Sequence, residues 1–233
     1  MTSADRQPLP APARACAALL AGVGGCGFGL LLLALEAAGH PAGLLGRLWW
    51  LLGFYTVLAN LALAILMLRA AFGAPVSARQ AGGVTLSMLV VSTVYHFALR
   101  SLWDPEGLQW LADLILHSLT PAFALGWWML FAPKDGLGLR DLGAWLVWPL
   151  AYAIYMFLRA LLTGFAPYPF LDPAALGWTV TLPAALLAGT FVGMGLGLIG
   201  LSRILPQSPR PGSSSSVRPA RSSSSSSQRS GSR

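Results

Sequence analysis

The sequence predicts an all-α integral membrane protein: a bundle of six transmembrane helices with both termini in the cytoplasm. Three observations carry that expectation. The 233 residues are 55% hydrophobic and only 10% charged, with a mean hydropathy of +0.65, whereas soluble domains run to about 25% charged. Six apolar runs reach the ~20 residues that a helix needs to cross a bilayer. They are continuously apolar, which argues against the alternating strands of a barrel and for helices, whose backbone groups satisfy one another in lipid. Finally, Lys and Arg fall unevenly on the two sides of these runs.

The runs lie at about 15–36, 48–70, 83–101, 108–132, 143–163 and 176–202. A short N-tail (1–14) precedes the six-helix domain (15–204), and a Ser/Arg-rich tail (205–233) follows it. The first run, Ala15 to Leu35, exceeds the 7–15 apolar residues of a cleaved signal and reads as a retained helix. Cys16 and Cys26 both lie on it, too far apart on one helix to bridge, and read as small apolar residues. Its AGVGGCGFG stretch, like Gly189, Gly193 and Gly197 in the sixth run, has the small-residue spacing of close helix packing. The second run opens with Trp49 and Trp50 and carries Thr56 and Asn60. The third ends in His96 and Arg100. The fourth contains WLADLILHSLTPAF, where Asp113, His117 and Pro121 stand four apart and share one helical face. Pro121 has no N–H for the carbonyl of His117. The fifth ends at Arg159, before GFAPYPFLD with Tyr168 and Asp172. The tail is rich in serine and holds five arginines and no acid, a composition that predicts disorder and a plain solvated tail, with weak attraction to anionic lipid, ahead of nucleic-acid binding, as the next reading.

Six spans put both termini on one side. That side would hold Arg6, Arg14, Arg69, Arg79, Lys134, Arg140 and Arg203 with the tail arginines, against Arg47, Arg100 and Arg159 on the other. The positive-inside rule makes it the cytoplasm, which in a bacterium means the inner (plasma) membrane. With a straight second helix starting near residue 48, Thr56 falls roughly 12 Å from the outer surface, and His117 falls roughly 13–14 Å in. The outer half of the bundle thus collects Thr56, His96, Arg100, Asp113, His117 and Arg159, and such groups at depth face one another or a wet cavity.

Plainer readings stand beside this one. Asp113 could pair with Arg100 or Arg159 and fasten the third, fourth and fifth helices. The Thr56 hydroxyl could bond back to the carbonyl of Leu52 or Gly53, and Asn60 could tie helices together. His96, Asp113 and His117 could bind a metal, but only two histidines lie at depth and no paired-His spacing exists, so neither metal nor cofactor is expected. No Walker loop, dinucleotide fingerprint or HExxH is present, and no internal repeat suggests a transporter.

FYTVLANL at 54–61, LADLILHSLTP at 111–121 and LRALLTGFAPYPFLD at 158–172 together resemble the Pr6Pr family of six-helix bacterial membrane proteins, related to the FAR-17a/androgen-induced-gene-like superfamily. The resemblance covers roughly residues 45–203. It implies an intramembrane threonine hydrolase acting on fatty-acid esters, with the nucleophile at Thr56 and the base at His117. On that reading membrane lipids surround the protein and a lipid ester is its substrate. Asp113 would orient the imidazole, Asn60 would offer an oxyanion donor, and Arg100 or Arg159 would hold the product carboxylate. His96 belongs to the same polar set. The alternative is a non-catalytic protein that binds or transports a lipid or small amphiphile in an outward-facing polar cavity.

Overall fold

The computed structural model describes residues 8–39 and 43–205; the expected tails at 1–7 and 206–233 lie outside them. Among the described residues every regular element is helical. α1 (Ala11–Ala37) leads into a short α2 (Leu44–Leu51) and then α3 (Tyr55–Ala71). α4 (Ala78–Val94) runs on through a π-helical turn, Tyr95–Leu99, and a 3-10 turn, Arg100–Leu102. α5 (Gly107–Leu114) passes through a second π-helical turn, Ile115–Leu119, into α6 (Thr120–Phe131). α7 (Leu139–Thr163) is joined by two 3-10 turns and the short α8 (Pro173–Leu176) to α9 (Thr181–Ile204). Five of these stretches are long and apolar enough to cross a membrane, and α2 with α3 makes a sixth if the pair is one broken span.

That break corrects the expectation of a straight second helix: α2 and α3 meet at 95°. The corner is packed too closely for any side chain at Gly53, where a Cβ would stand 2.4 Å from Phe165 and 2.8 Å from Arg159 Nη1. Breaking a helix strands backbone groups that need partners. Here three tyrosines supply them. The Tyr152 hydroxyl donates to the carbonyl of Gly53 at 2.8 Å and the Tyr155 hydroxyl to that of Leu52 at 3.3 Å. The Tyr55 N–H, first in α3, donates to the hydroxyl of Tyr168 at 2.9 Å. Tyr168 thereby caps a helix whose own N-cap, Phe54, has no side chain suited to the task.

α4 sits at the centre, against α3, α6, α7 and α9, while α1 covers α3, α5 and α6. Polar ties gather one end of the bundle. Arg14 Nε donates to the carbonyl of Ala71 and Trp127 Nε1 to that of Ala13. Arg79 pairs with Asp141 at 2.6 Å, and Trp145 Nε1 donates to the carbonyl of Arg79. The starts of α1, α4 and α7 therefore share an end with the finishes of α3 and α6. The α2–α3 corner and both π-turns lie at the opposite end. α7 leaves Val147, Leu150, Ile154, Leu158 and Leu162 exposed, an apolar surface of the kind that contacts lipid or a partner.

The glycines divide differently from the expectation. A Cβ on Gly189, Gly193 or Gly197 would meet nothing within 4 Å, so that stripe is not an internal packing face. The close approach on α9 is made instead by Gly195, against Leu142 and Leu86. On α1 it is made by Gly27, whose Cβ would overlap Ile115.

Candidate active site

The two π-turns face each other, one on the α4 segment and one between α5 and α6, and each holds a histidine. Pro121 accounts for the second. Without an N–H at that position the α ladder cannot close on the carbonyl of His117, and the turn widens so that the Thr120 N–H bonds the carbonyl of Ile115. Such π-bulges recur at functional sites because they turn a side chain out of its regular register. Here the side chain is His117.

His117 Nε2 stands 3.2 Å from Thr56 Oγ1. Its other ring nitrogen, Nδ1, lies 3.1 Å from Asp113 Oδ1 and 3.2 Å from the Asp113 carbonyl. With two acceptors beside it, Nδ1 carries the proton, which leaves Nε2 to accept from the Thr56 hydroxyl. Asp113 is buried and accepts a hydrogen bond from the Tyr95 hydroxyl at its second oxygen. The Tyr95 ring also stacks on His117, with centroids 4.2 Å apart and planes 19° from parallel. Thr56, His117, Asp113 and Tyr95 form one hydrogen-bonded chain across three helices.

The other expected residues divide. Asp113 pairs with His117 and Tyr95, not with Arg100 or Arg159, so the helix-fastening ion pair is replaced by a histidine–carboxylate pair. The Thr56 hydroxyl meets His117 rather than the carbonyls of Leu52 and Gly53, which lie before the start of α3 and accept from Tyr155 and Tyr152. Asn60 is buried and turned away: its amide N–H groups go to the carbonyls of Thr56 (2.9 Å) and Leu116 (3.2 Å), and its oxygen accepts from Thr120. It fastens α3 to the second π-turn and offers no donor to a substrate. His96 is exposed and meets Ser118 Oγ at 3.1 Å, linking the two π-turns from outside. Arg100 is exposed. Arg159 is buried behind an aromatic wall. Among the described residues no cluster of three or more His, Cys, Asp or Glu could hold a metal.

Thr56 lies in the wall between two cavities. The larger, about 300 Å³, is lined by Thr56, His117, Asp113, Tyr95, Trp50 and Tyr168, among other residues. The smaller, about 80 Å³, is an apolar pocket beside Val90, Met156, Leu187 and Phe191. Thr56, Leu99 and Tyr168 belong to both. Tyr168 comes from the GFAPYPFLD stretch that follows α7. Burial pushes its phenol well above the usual range, opposed by hydrogen bonds to the Tyr55 backbone, the Tyr152 side chain and Thr56, so the hydroxyl keeps its proton. It accepts the Tyr55 N–H, and its own O–H is its one donor.

No family model, curated protein or solved structure matches the chain.

Proposed function

We propose that this chain is an intramembrane threonine hydrolase of the Pr6Pr kind, which cleaves lipid (fatty-acid) esters in the outer half of the membrane with both its termini in the cytoplasm. The observation that carries the reading is the 3.2 Å contact between Thr56 Oγ1 and His117 Nε2, backed by Asp113 at Nδ1. Nucleophile, base and orienting acid in hydrogen-bond sequence are what acyl transfer at a hydroxyl requires. The resemblance of FYTVLANL and LHSLTP to that family assigns the same two residues the same roles. The bias of Lys and Arg supports the orientation.

The chemistry follows from the contacts. Neutral His117 takes the Thr56 proton at Nε2 as the oxygen attacks the ester carbonyl carbon. Asp113 stays ionised and stabilises the imidazolium through Nδ1–H, and Tyr95 holds Asp113 in place. The negative charge that develops on the carbonyl oxygen meets the Tyr168 hydroxyl, the donor present in both cavities beside Thr56. Collapse of the tetrahedral intermediate expels the alcohol, which takes the proton back from His117, and leaves an acyl ester on Thr56. A water molecule then gives a proton to His117 and its oxygen attacks that ester; a second collapse frees the carboxylic acid and restores the Thr56 hydroxyl. The two cavities flanking Thr56 suit an ester with an apolar arm on each side of the scissile bond.

Turnover of a p-nitrophenyl acyl ester by the purified protein in neutral detergent tests this. Thr56→Ala and His117→Ala are each expected to abolish it, a loss of at least ~10³-fold for a nucleophile or its base. Undiminished turnover by folded Thr56→Ala would contradict the reading. Tight binding of the ester without turnover by wild type would favour the lipid-binding alternative.

A further inference from the structure

Arg159, on the last turns of α7, is only 6% exposed, yet no carboxylate among the described residues forms an ion pair with it. Its guanidinium carbon lies over aromatic rings instead: 4.4 Å from the centre of Trp49, 4.6 Å from Phe165 and 6.0 Å from Tyr155. Nη1 donates to the Tyr155 hydroxyl at 2.8 Å, and the buried Nε has no partner among the described residues. Ring faces offset part of the cost of desolvating a cation but accept no bonds in the guanidinium plane. A buried charge left without an opposite charge is strongly destabilising. An arginine fork in that state is matched best by a carboxylate or phosphate, which takes two parallel N–H donors at once.

The surroundings say what else the anion carries. Phe165 stacks edge-on against Phe54 and Trp50, and both of those rings line the ~300 Å³ cavity. Trp49 is 54% exposed, so the cage opens to the surface, and its neighbour Trp50 lines that cavity. We infer that Arg159 and its aromatic cage bind the oxyanionic head group of an amphiphile whose hydrocarbon chain enters the cavity. Two sources share this chemistry: a fatty-acid carboxylate and an acidic phospholipid phosphate. The inference names the ligand class of the proposed active-site cavity, but it rests on Arg159 and not on hydrolysis.

The test uses full-length Thr56→Ala protein in neutral detergent, so that any turnover is removed from the measurement. Binding of oleate, lysophosphatidylglycerol and the neutral oleyl alcohol is followed by native mass spectrometry. At least one anion is expected to bind tenfold or more tightly than oleyl alcohol, and whichever anion binds more tightly identifies the source. Arg159→Gln should erase that preference, and Arg159→Lys, which keeps the charge without the fork, should retain only part of it. Equal binding of both anions and the alcohol overturns the inference, even if Arg159→Gln fails to fold. So does an anion preference that survives in Arg159→Gln. Anion binding through Arg159 in a protein whose wild type never hydrolyses an ester would sink the hydrolase reading alone.

Discussion

At the scale of single residues, the site is set by which hydrogen bonds are already made. Thr56 is available to His117 because α3 starts only at Tyr55, so the carbonyls that a membrane threonine ordinarily uses fall in the corner before the helix. Asn60 is unavailable because its amide hydrogens and its oxygen are already bonded. Tyr95→Phe removes the bond to Asp113 but keeps the stack on His117; it should lower turnover by roughly tenfold, the worth of one such bond, and a kcat measurement checks it. Asp113→Asn should do far more, on the order of 10³-fold or beyond, because an amide no longer holds the proton on Nδ1. Tyr168→Phe should lower kcat by roughly 10²–10³ with KM little changed, the signature of a lost oxyanion donor. It should also lower thermal stability, because the Tyr55 N–H loses its acceptor. Of these residues, Thr56, His117 and Asp113 were legible in the sequence, as polar groups at depth and through resemblance. Tyr95 and Tyr168 were not, since a tyrosine at the edge of an apolar run reads as interfacial, and its partner lies 18 or more residues away.

At the scale of elements, two local irregularities build the site. The α2–α3 corner starts α3 only one residue before Thr56, so the helical rise that matched the depths of Thr56 and His117 does not apply. The two residues meet because the corner delivers α3 directly beside the second π-turn. A glycine before an aromatic pair in an apolar run could not announce a 95° break; the tight packing of Phe165 and Arg159 over Gly53 is a tertiary fact. Gly53→Ala should therefore destabilise by about 1–3 kcal/mol, as overpacking does, visible as a lower Tm. Pro121 was legible as a disturbance of the fourth span, and the structure turns that disturbance into a π-turn. The connection from α6 to α7 carries a separate consequence. Lys134 is buried, donates to the carbonyl of Ala132 and lies 5.4 Å from the Trp128 ring. Burial pushes its ammonium below the usual 10.5, against the opposing charge of Asp135. The unfolded chain then binds that proton more tightly than the fold, so stability should rise as pH climbs from the lowered value towards 10.5. Lys134→Met should remove that slope in pH-dependent thermal unfolding.

At the scale of the whole molecule, composition and run length were enough to give an all-helical chain with five long apolar helices near their expected places, but not the break that divides the second run into α2 and α3. How those helices pack was less legible: the open Gly189, Gly193 and Gly197 stripe and the close approach at Gly195 differ only in which side of α9 they face. The placement of functional groups follows one plan. The Arg79–Asp141 pair and the ties made by Arg14 and Trp127 lie where α1, α4 and α7 start, while the Thr56–His117 pair, both cavities and Arg159 gather towards the other end. On the proposed function, an ester would reach Thr56 with its head near Arg159 and its arms in apolar space.

The claim on which the rest depends is that Thr56 is an activated nucleophile. Full-length protein treated with a fluorophosphonate probe, digested and mapped by mass spectrometry tests it most directly. The account predicts an adduct on Thr56 in wild type that is lost in folded His117→Ala. An adduct elsewhere, none at all, or labelling of Thr56 that persists without His117 would contradict it.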